Sequence, residues 1–147
     1  MLANEYKATV RYAGDELFIG TSPSGNSLAI DVKGVRRSAA SPLELLLIAV
    51  AACTAADVAS IMEKKRQDFR EYIVEVTGTR VDDHPRKFVK FHVNHIVHGR
   101  SVSEKALADA IKLSDEKYCS VAATVRPTAE ITTSYEIVEV GETAQPV

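Results

Sequence analysis

Alternation of apolar and polar residues predicts strands in three parts of the chain. Two short alternating segments near the N-terminus flank Ala13, Gly14 and Asp15, which is typical of a β-hairpin. Later, residues 88–97 alternate so regularly that one face is mostly apolar, which predicts a half-buried strand. In full, the predicted strands cover residues 5–12, 16–20, 27–32, 72–79, 88–97 and 129–137.

The clearest start signal for a helix lies at Ser41, which is followed by Pro42 at the first helical position and Glu44 at the third. A serine cap with a carboxylate three residues later is a capping box, and proline preorganises the first turn. A helix is therefore predicted over residues 42–67. Its apolar residues lie around nearly the whole circumference, which predicts a central helix covered on several sides.

A second helix is predicted over residues 102–117, where Ser101 and Glu104 would form another capping box. No internal repeat or shift in composition marks a domain boundary, and 147 residues can bury a substantial core. The order of elements therefore predicts one α+β domain over residues 1–147, in which antiparallel sheets cover the helices.

Composition and charge exclude several classes of protein. Apolar residues make up 46% of the chain, charged residues 26%, and the net charge is -2, which argues against disorder and against nucleic-acid binding. Residues 1–12 lack the apolar core of a secretory signal, which predicts a cytoplasmic protein. The apolar run 45–56 ends at Asp57 after 12 residues. Because a membrane span needs about 20, this run predicts a core helix and no membrane association.

Cys53 lies within the long helix among small residues such as Ala49 and Ala56, and two interpretations of it are open. It is either an inert buried cysteine or a reactive one. Burial and the nearby Asp57 both oppose a thiolate, so reactivity requires a cation from elsewhere.

Arg36 and Arg37, just before the helix, are the candidates for that cation; the alternative is that both are solvated loop residues. Cys119 follows the second helix, 66 positions after Cys53, and this spacing does not establish that the two sulfurs meet. Should they meet, a sulfenic acid formed on one thiol could condense with the other to a disulfide.

His92, His95 and His98 recur at every third position, a spacing that invites a metal interpretation. A strand places His92 and His95 on opposite faces, so they could not share an ion, and no metal site is predicted. His95 on the apolar face is expected to be a hydrogen-bonded core histidine. No glycine-rich nucleotide-binding pattern is present, so no cofactor is predicted.

The segments SPLELLLIAVAACTAADV, which contains Cys53, and YCSVAATV, which contains Cys119, resemble the osmotically induced protein C and organic hydroperoxide resistance (OsmC/Ohr) family. The resemblance implies an OsmC-like fold and an intertwined homodimer, in which sheets from both subunits wrap two central helices. It also implies active sites at the subunit interface.

The resemblance further implies that Cys53 is the peroxidatic thiol and Cys119 the resolving thiol, with Arg36 or Arg37 stabilising the thiolate. The implied reaction reduces organic hydroperoxides to alcohols, and a dithiol such as a lipoylated protein restores the enzyme. In the best-characterised peroxidase branch a glutamate follows the helix-start proline. Here that position is Leu43 and the carboxylate is Glu44, whose alternative role is the capping box.

The substitution at Leu43 keeps a second function open. In this alternative the chain is a non-peroxidase of the same fold that binds a small apolar or thiol-reactive ligand at the dimer interface. Cys119 would then be structural.

Overall fold

The computed structural model describes residues 4–141 and has the predicted α+β fold. The strands are β1 Thr9–Gly14, β2 Leu17–Thr21, β3 Ser27–Asp31, β4 Asp68–Arg80, β5 Phe88–Arg100 and β6 Glu130–Glu139. The helices are α1 Pro42–Lys64, α2 Glu104–Leu113 and α3 Ser120–Val125, with a π-helical turn Ser114–Tyr118 directly after α2. The chain divides into an N-terminal unit, Met1–Leu46, and a C-terminal unit, Leu47–Val147. The single-domain organisation stays a prediction.

The N-terminal unit contains an antiparallel sheet in the order β1-β2-β3. The predicted hairpin is present, with a bulge between Tyr12 and Gly14 that Gly14 accommodates at a φ of +96°. Most side chains of this sheet are exposed within the unit, including Val10 at 61% and Tyr12 at 63%.

The C-terminal unit contains a sheet in the order β4-β5-β6. The β4–β5 pair is antiparallel, but β6 runs parallel to β5, so the prediction of purely antiparallel sheets is wrong for this pair. The reason lies in the connection from β5 to β6, which contains α2, the π-helical turn and α3. A helical crossover of that length returns the chain to the end of the sheet at which β5 begins, so that β6 can pair with β5 in parallel.

The long helix α1 begins as the sequence predicts. The Ser41 N–H donates to Glu44 Oε2 at 2.7 Å, and the Glu44 N–H donates to Ser41 Oγ at 3.3 Å, which is the expected capping box. The helix ends at Lys64, three residues earlier than predicted. Arg66 explains the early end, because its φ of +55° lies in the left-handed region that terminates helices.

Burial along α1 follows one line of side chains four residues apart, namely Val50, Thr54, Val58 and Met62. On another side Ile48 is 57% exposed, so the single chain does not cover the helix all round. By length and composition alone α1 could also cross a membrane, a test that core helices of soluble proteins pass as well.

Helix α2 starts differently from the prediction. Its cap is Ser103, whose Oγ accepts the Ala106 N–H at 3.1 Å, so the predicted capping box of Ser101 with Glu104 is wrong. Ser101 instead adopts a φ of +48°, and its N–H donates to the Glu139 carboxylate at 3.0 Å. The apolar side of α2 packs with α1 and β5 in a core of Val58, Met62, Val97, Ala106, Leu107, Ala110 and Ile111.

Candidate dithiol site

The structure brings the two cysteines of the chain together. The Cys53 thiol lies close enough to the Cys119 thiol to raise the pKa of Cys119, and both cysteines are free. Cys53 is partly buried, whereas Cys119 is only 4% exposed. The sequence left this meeting open because only tertiary structure can join residues 66 positions apart.

Cys119 is held by the backbone on both sides. Its N–H donates to the Ser114 carbonyl at 2.8 Å across the π-helical turn. Its Sγ accepts the Ala122 N–H at 3.4 Å, so the cysteine is the N-cap of α3. π-helical turns are rare and occur frequently at functional sites. Neither the turn nor α3 was predicted, since the second helix was expected to continue as an ordinary α-helix to residue 117.

Three polar side chains connect Cys119 to α1. Ser114 is fully buried, and its Oγ donates to Asp57 Oδ2 at 2.8 Å and lies 3.0 Å from Thr54 Oγ1. The sequence predicts Asp57 only as a repulsive neighbour of a thiolate and does not single out Ser114 or Thr54. The one available signal was Thr54, a polar residue on the otherwise apolar line of α1 that includes Val50.

The surroundings of Cys119 favour its protonated form. Burial raises the pKa of the Cys119 thiol to about 11, against the opposing effect of the Ala122 N–H. The nearby Cys53 thiol and the charge of Asp57 are smaller causes of the same rise in the pKa of Cys119. At neutral pH Cys119 is therefore a neutral thiol.

Cys119 lines one cleft, and Asp57 lines another. A narrow, mostly apolar one is lined by Val50, Thr54, Val93, Asp115, Cys119, Ala122, Ile131 and Thr133. A wider cleft of about 310 Å³ is lined by Asp57, Ser60, Ile61, Lys64, Leu113 and Tyr118. Asp57 thus faces the wider cleft while it accepts the hydrogen bond from Ser114.

In the N-terminal unit the Arg36 guanidinium is paired with two aspartates, Asp31 and Asp15. Its Nε and Nη2 donate to the two Asp31 carboxylate oxygens at 2.8 and 3.0 Å. Its Nη1 donates to the Asp15 carboxylate, and Nη2 also donates to the Asp15 carbonyl, both at 2.8 Å. Asp31 is buried, and the Arg36 guanidinium holds the pKa of this carboxyl far below its usual range. Arg36 therefore has a structural role in this unit.

Arg37 and Glu44 differ from Arg36 in their surroundings. Arg37 is exposed at a φ of +50°, and its Nε donates to the Gly34 carbonyl at 3.0 Å. Glu44 accepts from Ser41, and this hydrogen bond lowers the pKa of Glu44, with a smaller contribution from the charge of Arg37. The two predicted site residues Arg37 and Glu44 thus interact electrostatically.

The histidines lie on opposite faces of β5, as predicted. His92 is hydrogen-bonded to Thr132 at 2.7 Å and to Ser134 at 2.8 Å on one face. His95 is fully buried on the other and hydrogen-bonded to the Tyr72 hydroxyl at 2.6 Å, which confirms a core histidine. In the described part of the chain, no group of three His, Cys, Asp or Glu residues could hold a metal ion.

Comparison with known proteins agrees with the predicted family and fold. The family of OsmC-like proteins matches residues 35–134. Protein YhfA of Escherichia coli K12 is 39% identical over 132 residues, which are 90% of this chain and 98% of YhfA.

Solved structures show the same fold at lower identity. An OsmC-like protein from Mycoplasma pneumoniae is 19% identical with a TM-score of 0.78, covering 93% of this chain and 99% of that one. The organic hydroperoxide resistance protein OhrB of Bacillus subtilis is 16% identical with a TM-score of 0.61, covering 90% and 98% of the two chains.

Proposed function

Because the chain belongs to the family of OsmC-like proteins, we propose that it is a thiol-dependent peroxidase that reduces organic hydroperoxides to alcohols. The observation that carries the proposal is the proximity of the Cys53 and Cys119 thiols. A peroxidase of this kind needs one thiol that a peroxide can reach and a second thiol close enough to form a disulfide. The partly buried Cys53 and the buried Cys119 meet these requirements in that order.

The proposed reaction balances over two thiols. The Cys53 thiolate attacks the terminal peroxide oxygen, the O–O bond breaks, and the alkoxide leaves and takes a proton to become the alcohol. Cys53 is then a sulfenic acid. The Cys119 sulfur attacks the Cys53 sulfur, a disulfide forms, and hydroxide leaves as water with the Cys119 proton. A dithiol reductant, in our proposal a lipoylated protein, supplies two electrons and two protons to restore both thiols.

We assign the thiolate-stabilising charge to Arg37 and not to Arg36. Arg36 directs four of its five N–H donors to Asp31 and Asp15, so its charge is already paired with two carboxylates. Arg37 has an exposed guanidinium whose charge acts on Glu44, and we propose that Glu44 orients it. Glu44 can do this while it caps α1, because a carboxylate has two oxygens that can each accept several hydrogen bonds.

We also propose that the protein is a cytoplasmic homodimer. The apolar side of α1 that includes Ile48 is exposed in the single chain, and so are Val10 and Tyr12 on the N-terminal sheet. Large apolar side chains that are exposed on a helix and on a sheet are typical of an interaction site. Light scattering on purified protein tests the assembly, and a monomer at micromolar concentration would contradict it.

The peroxidase proposal is tested by counting thiols after one equivalent of cumene hydroperoxide or tert-butyl hydroperoxide. We expect two thiols per chain to be lost and one alcohol to be formed. Cys53→Ser should abolish the reaction. The matched variant Cys119→Ser should still consume one equivalent of peroxide and should accumulate a sulfenic acid that dimedone traps. A reduced wild-type protein that keeps both thiols under these conditions would overturn the proposal.

The assignment of Arg37 is tested by two matched substitutions. Arg37→Gln should slow oxidation of Cys53 by tenfold or more, about 1.4 kcal/mol of transition-state stabilisation. Arg36→Gln should mainly lower thermal stability, because it leaves the buried Asp31 without its cation. The opposite result, in which Arg36→Gln slows the oxidation of Cys53 and Arg37→Gln leaves its rate unchanged, would reverse the assignment.

A second candidate function is a non-peroxidase that binds a small apolar or thiol-reactive ligand at the dimer interface. The position of Leu43 favours it, because the carboxylate lies one residue later at Glu44 and is engaged with the Ser41 amide. This function predicts an electrophile adduct on Cys53 with Cys119 unchanged. Mass spectrometry after exposure to a hydroperoxide and to an electrophile separates the two functions.

A further inference from the structure

Asp57 and Ser114 form a continuous connection between α1 and the backbone that carries Cys119. Ser114 makes one hydrogen bond with its side chain and one with its backbone carbonyl. Its hydroxyl donates to Asp57 Oδ2 at 2.8 Å, and its carbonyl accepts the Cys119 N–H at 2.8 Å. Ser114 is fully buried, so neither bond is exchanged with water. A shift of Asp57 would therefore be transmitted to the π-helical turn and to the thiol.

Few other charges surround Cys119. On the π-helical turn, Asp115 lines the same cleft but is paired with Arg126 at 2.6 Å. The strands β5 and β6 contribute only the uncharged side chains Val93, Ile131 and Thr133 to that cleft. On α1, Cys53 and Asp57 are the titratable groups that act on the Cys119 thiol. Beyond the dithiol, the wider cleft adds Lys64 and Tyr118.

We propose that Asp57 is a positioning residue for the resolving step: through its hydrogen bond with Ser114 it fixes the turn that carries Cys119. The fixed turn holds the Cys119 sulfur close to the Cys53 sulfur. The charge of Asp57 disfavours a second thiolate in the same site, since two like charges in contact repel each other. In this proposal Cys53 is therefore the thiol that attacks a peroxide, and Cys119 stays protonated.

This inference rests on the proposed function and specifies its second half. In the resolving step the S–S bond forms, the S–O bond of the Cys53 sulfenic acid breaks, and the Cys119 hydrogen leaves with the oxygen as water. Holding that hydrogen on Cys119 keeps it available for the departing hydroxide. Asp57 itself neither gains nor loses a proton over the whole reaction.

The charge effect is tested by titrating Cys119 in a Cys53→Ser background, where its ionisation does not depend on a second thiol. The Cβ chemical shift of labelled Cys119 reports the titration. Asp57→Asn keeps an oxygen that can accept from Ser114 and removes only the charge, so we expect the Cys119 midpoint to fall by roughly a few tenths of a pH unit, because the charge of Asp57 raises the pKa of Cys119 less than burial does. Glu63→Gln, on the exposed end of the same helix, is the matched control and should leave the midpoint unchanged.

The positioning effect has a separate readout. Ser114→Ala breaks the connection and leaves Asp57 charged, so the Cys53 sulfenic acid should survive at least several times longer before the disulfide forms, as dimedone trapping would show. If Asp57→Asn leaves the Cys119 midpoint unchanged, or Ser114→Ala resolves at the wild-type rate, the inference is overturned.

A measurement on the unmodified reduced protein guards against variants that do not fold. The chemical shift of the Asp57 carboxyl carbon should change at the pH where Cys119 ionises, and an unchanged chemical shift there would also overturn the inference. These titrations contain no hydroperoxide. A wild-type protein that does not react with hydroperoxide but shows the titration coupling would therefore refute the peroxidase proposal and leave the electrostatic inference standing.

Discussion

Asp31 in the N-terminal unit and His95 in the C-terminal unit are both buried titratable side chains, but their surroundings are opposite. Asp31 accepts from Arg36, from the Ser38 N–H at 2.9 Å and hydroxyl at 2.6 Å, and from the Lys33 N–H at 2.9 Å. These donors stabilise its charged form. Among the described residues 4–141, the His95 side chain has one hydrogen bond, to Tyr72, and burial lowers the pKa of His95 to about 4.

The difference shows two ways in which a fold can bury a polar group. The N-terminal unit surrounds an ionised carboxylate with donors, and this cluster fixes the loop between β3 and α1. The C-terminal unit keeps an imidazole neutral among apolar side chains of β5 such as Val93 and Val97. We therefore expect the units to respond differently to core truncation and to acid.

The largest expected effect comes from truncating the apolar core of the C-terminal unit. Leu107 is fully buried, so Leu107→Ala should lower the free energy of unfolding by about 2–5 kcal/mol. The matched change Leu28→Ala, at a position 44% exposed in the N-terminal sheet, should cost less than about 1 kcal/mol. Urea denaturation measures both. A large effect of Leu28→Ala would show that the N-terminal sheet is covered in the functional assembly.

Acid should next destabilise the C-terminal unit through His95. The folded-state pKa of about 4 lies below the ordinary value of 6.5, so the unfolded chain binds the proton more readily. This stability is complete above pH 6.5 and is lost as pH falls towards 4, with a total of roughly 3 kcal/mol. Urea denaturation at pH 7 and pH 4.5 measures the loss. The loss of stability between pH 7 and pH 4.5 should persist in His92→Gln and be smaller in His95→Gln. An equal loss in both variants would contradict the assignment to His95.

Asp31 should add a smaller acid effect at lower pH, because the partly exposed Arg36 and the exposed Asp15 are screened by solvent. The pKa of the folded Asp31 is depressed, so its stabilising contribution is present above the unfolded-state value near 4 and is lost as pH falls below it. Thermal unfolding between pH 5 and pH 2.5 should therefore decline less steeply in Asp31→Asn than in the wild type. An equally steep decline of the unfolding temperature in the variant and the wild type would show that Arg36 does not hold Asp31 ionised.

The smallest effect is expected from Tyr72→Phe. The substitution removes the hydroxyl that contacts His95 and keeps the ring, so about 1 kcal/mol of stability should be lost. The effect should be measured by urea denaturation at pH 7, where His95 is neutral in both states. A neutral result would show that the hydrogen bond contributes no net stability.

The sequence predicts most of the secondary structure because local patterns encode it. The strict alternation in β5 predicts which of its faces is buried, and the Ser41 and Glu44 pair predicts the start of α1. The choice of Ser103 over Ser101 as the cap of α2 was not predictable in this way. It depends on Glu139, a residue distant in sequence that binds the Ser101 amide.

The dithiol site depends on contacts that no local pattern encodes. Cys53 and Cys119 meet only because the crossover places the π-helical turn beside α1. The parallel pairing of β6 with β5 has the same origin. Arg36 and Arg37 are neighbours in sequence, and only the position of Asp31 distinguishes them.

The π-helical turn makes the chain sensitive to length at one point. Its hydrogen bonds close over one residue more than those of an α-helix, so the loss of a single residue between Leu113 and Cys119 would restore ordinary helical winding. The sulfur would then be rotated by about 100° around the helix axis. Among descendants of this chain, a one-residue deletion there could separate the thiols while the core around Leu107 stayed intact, so activity could be lost in a single step without loss of the fold.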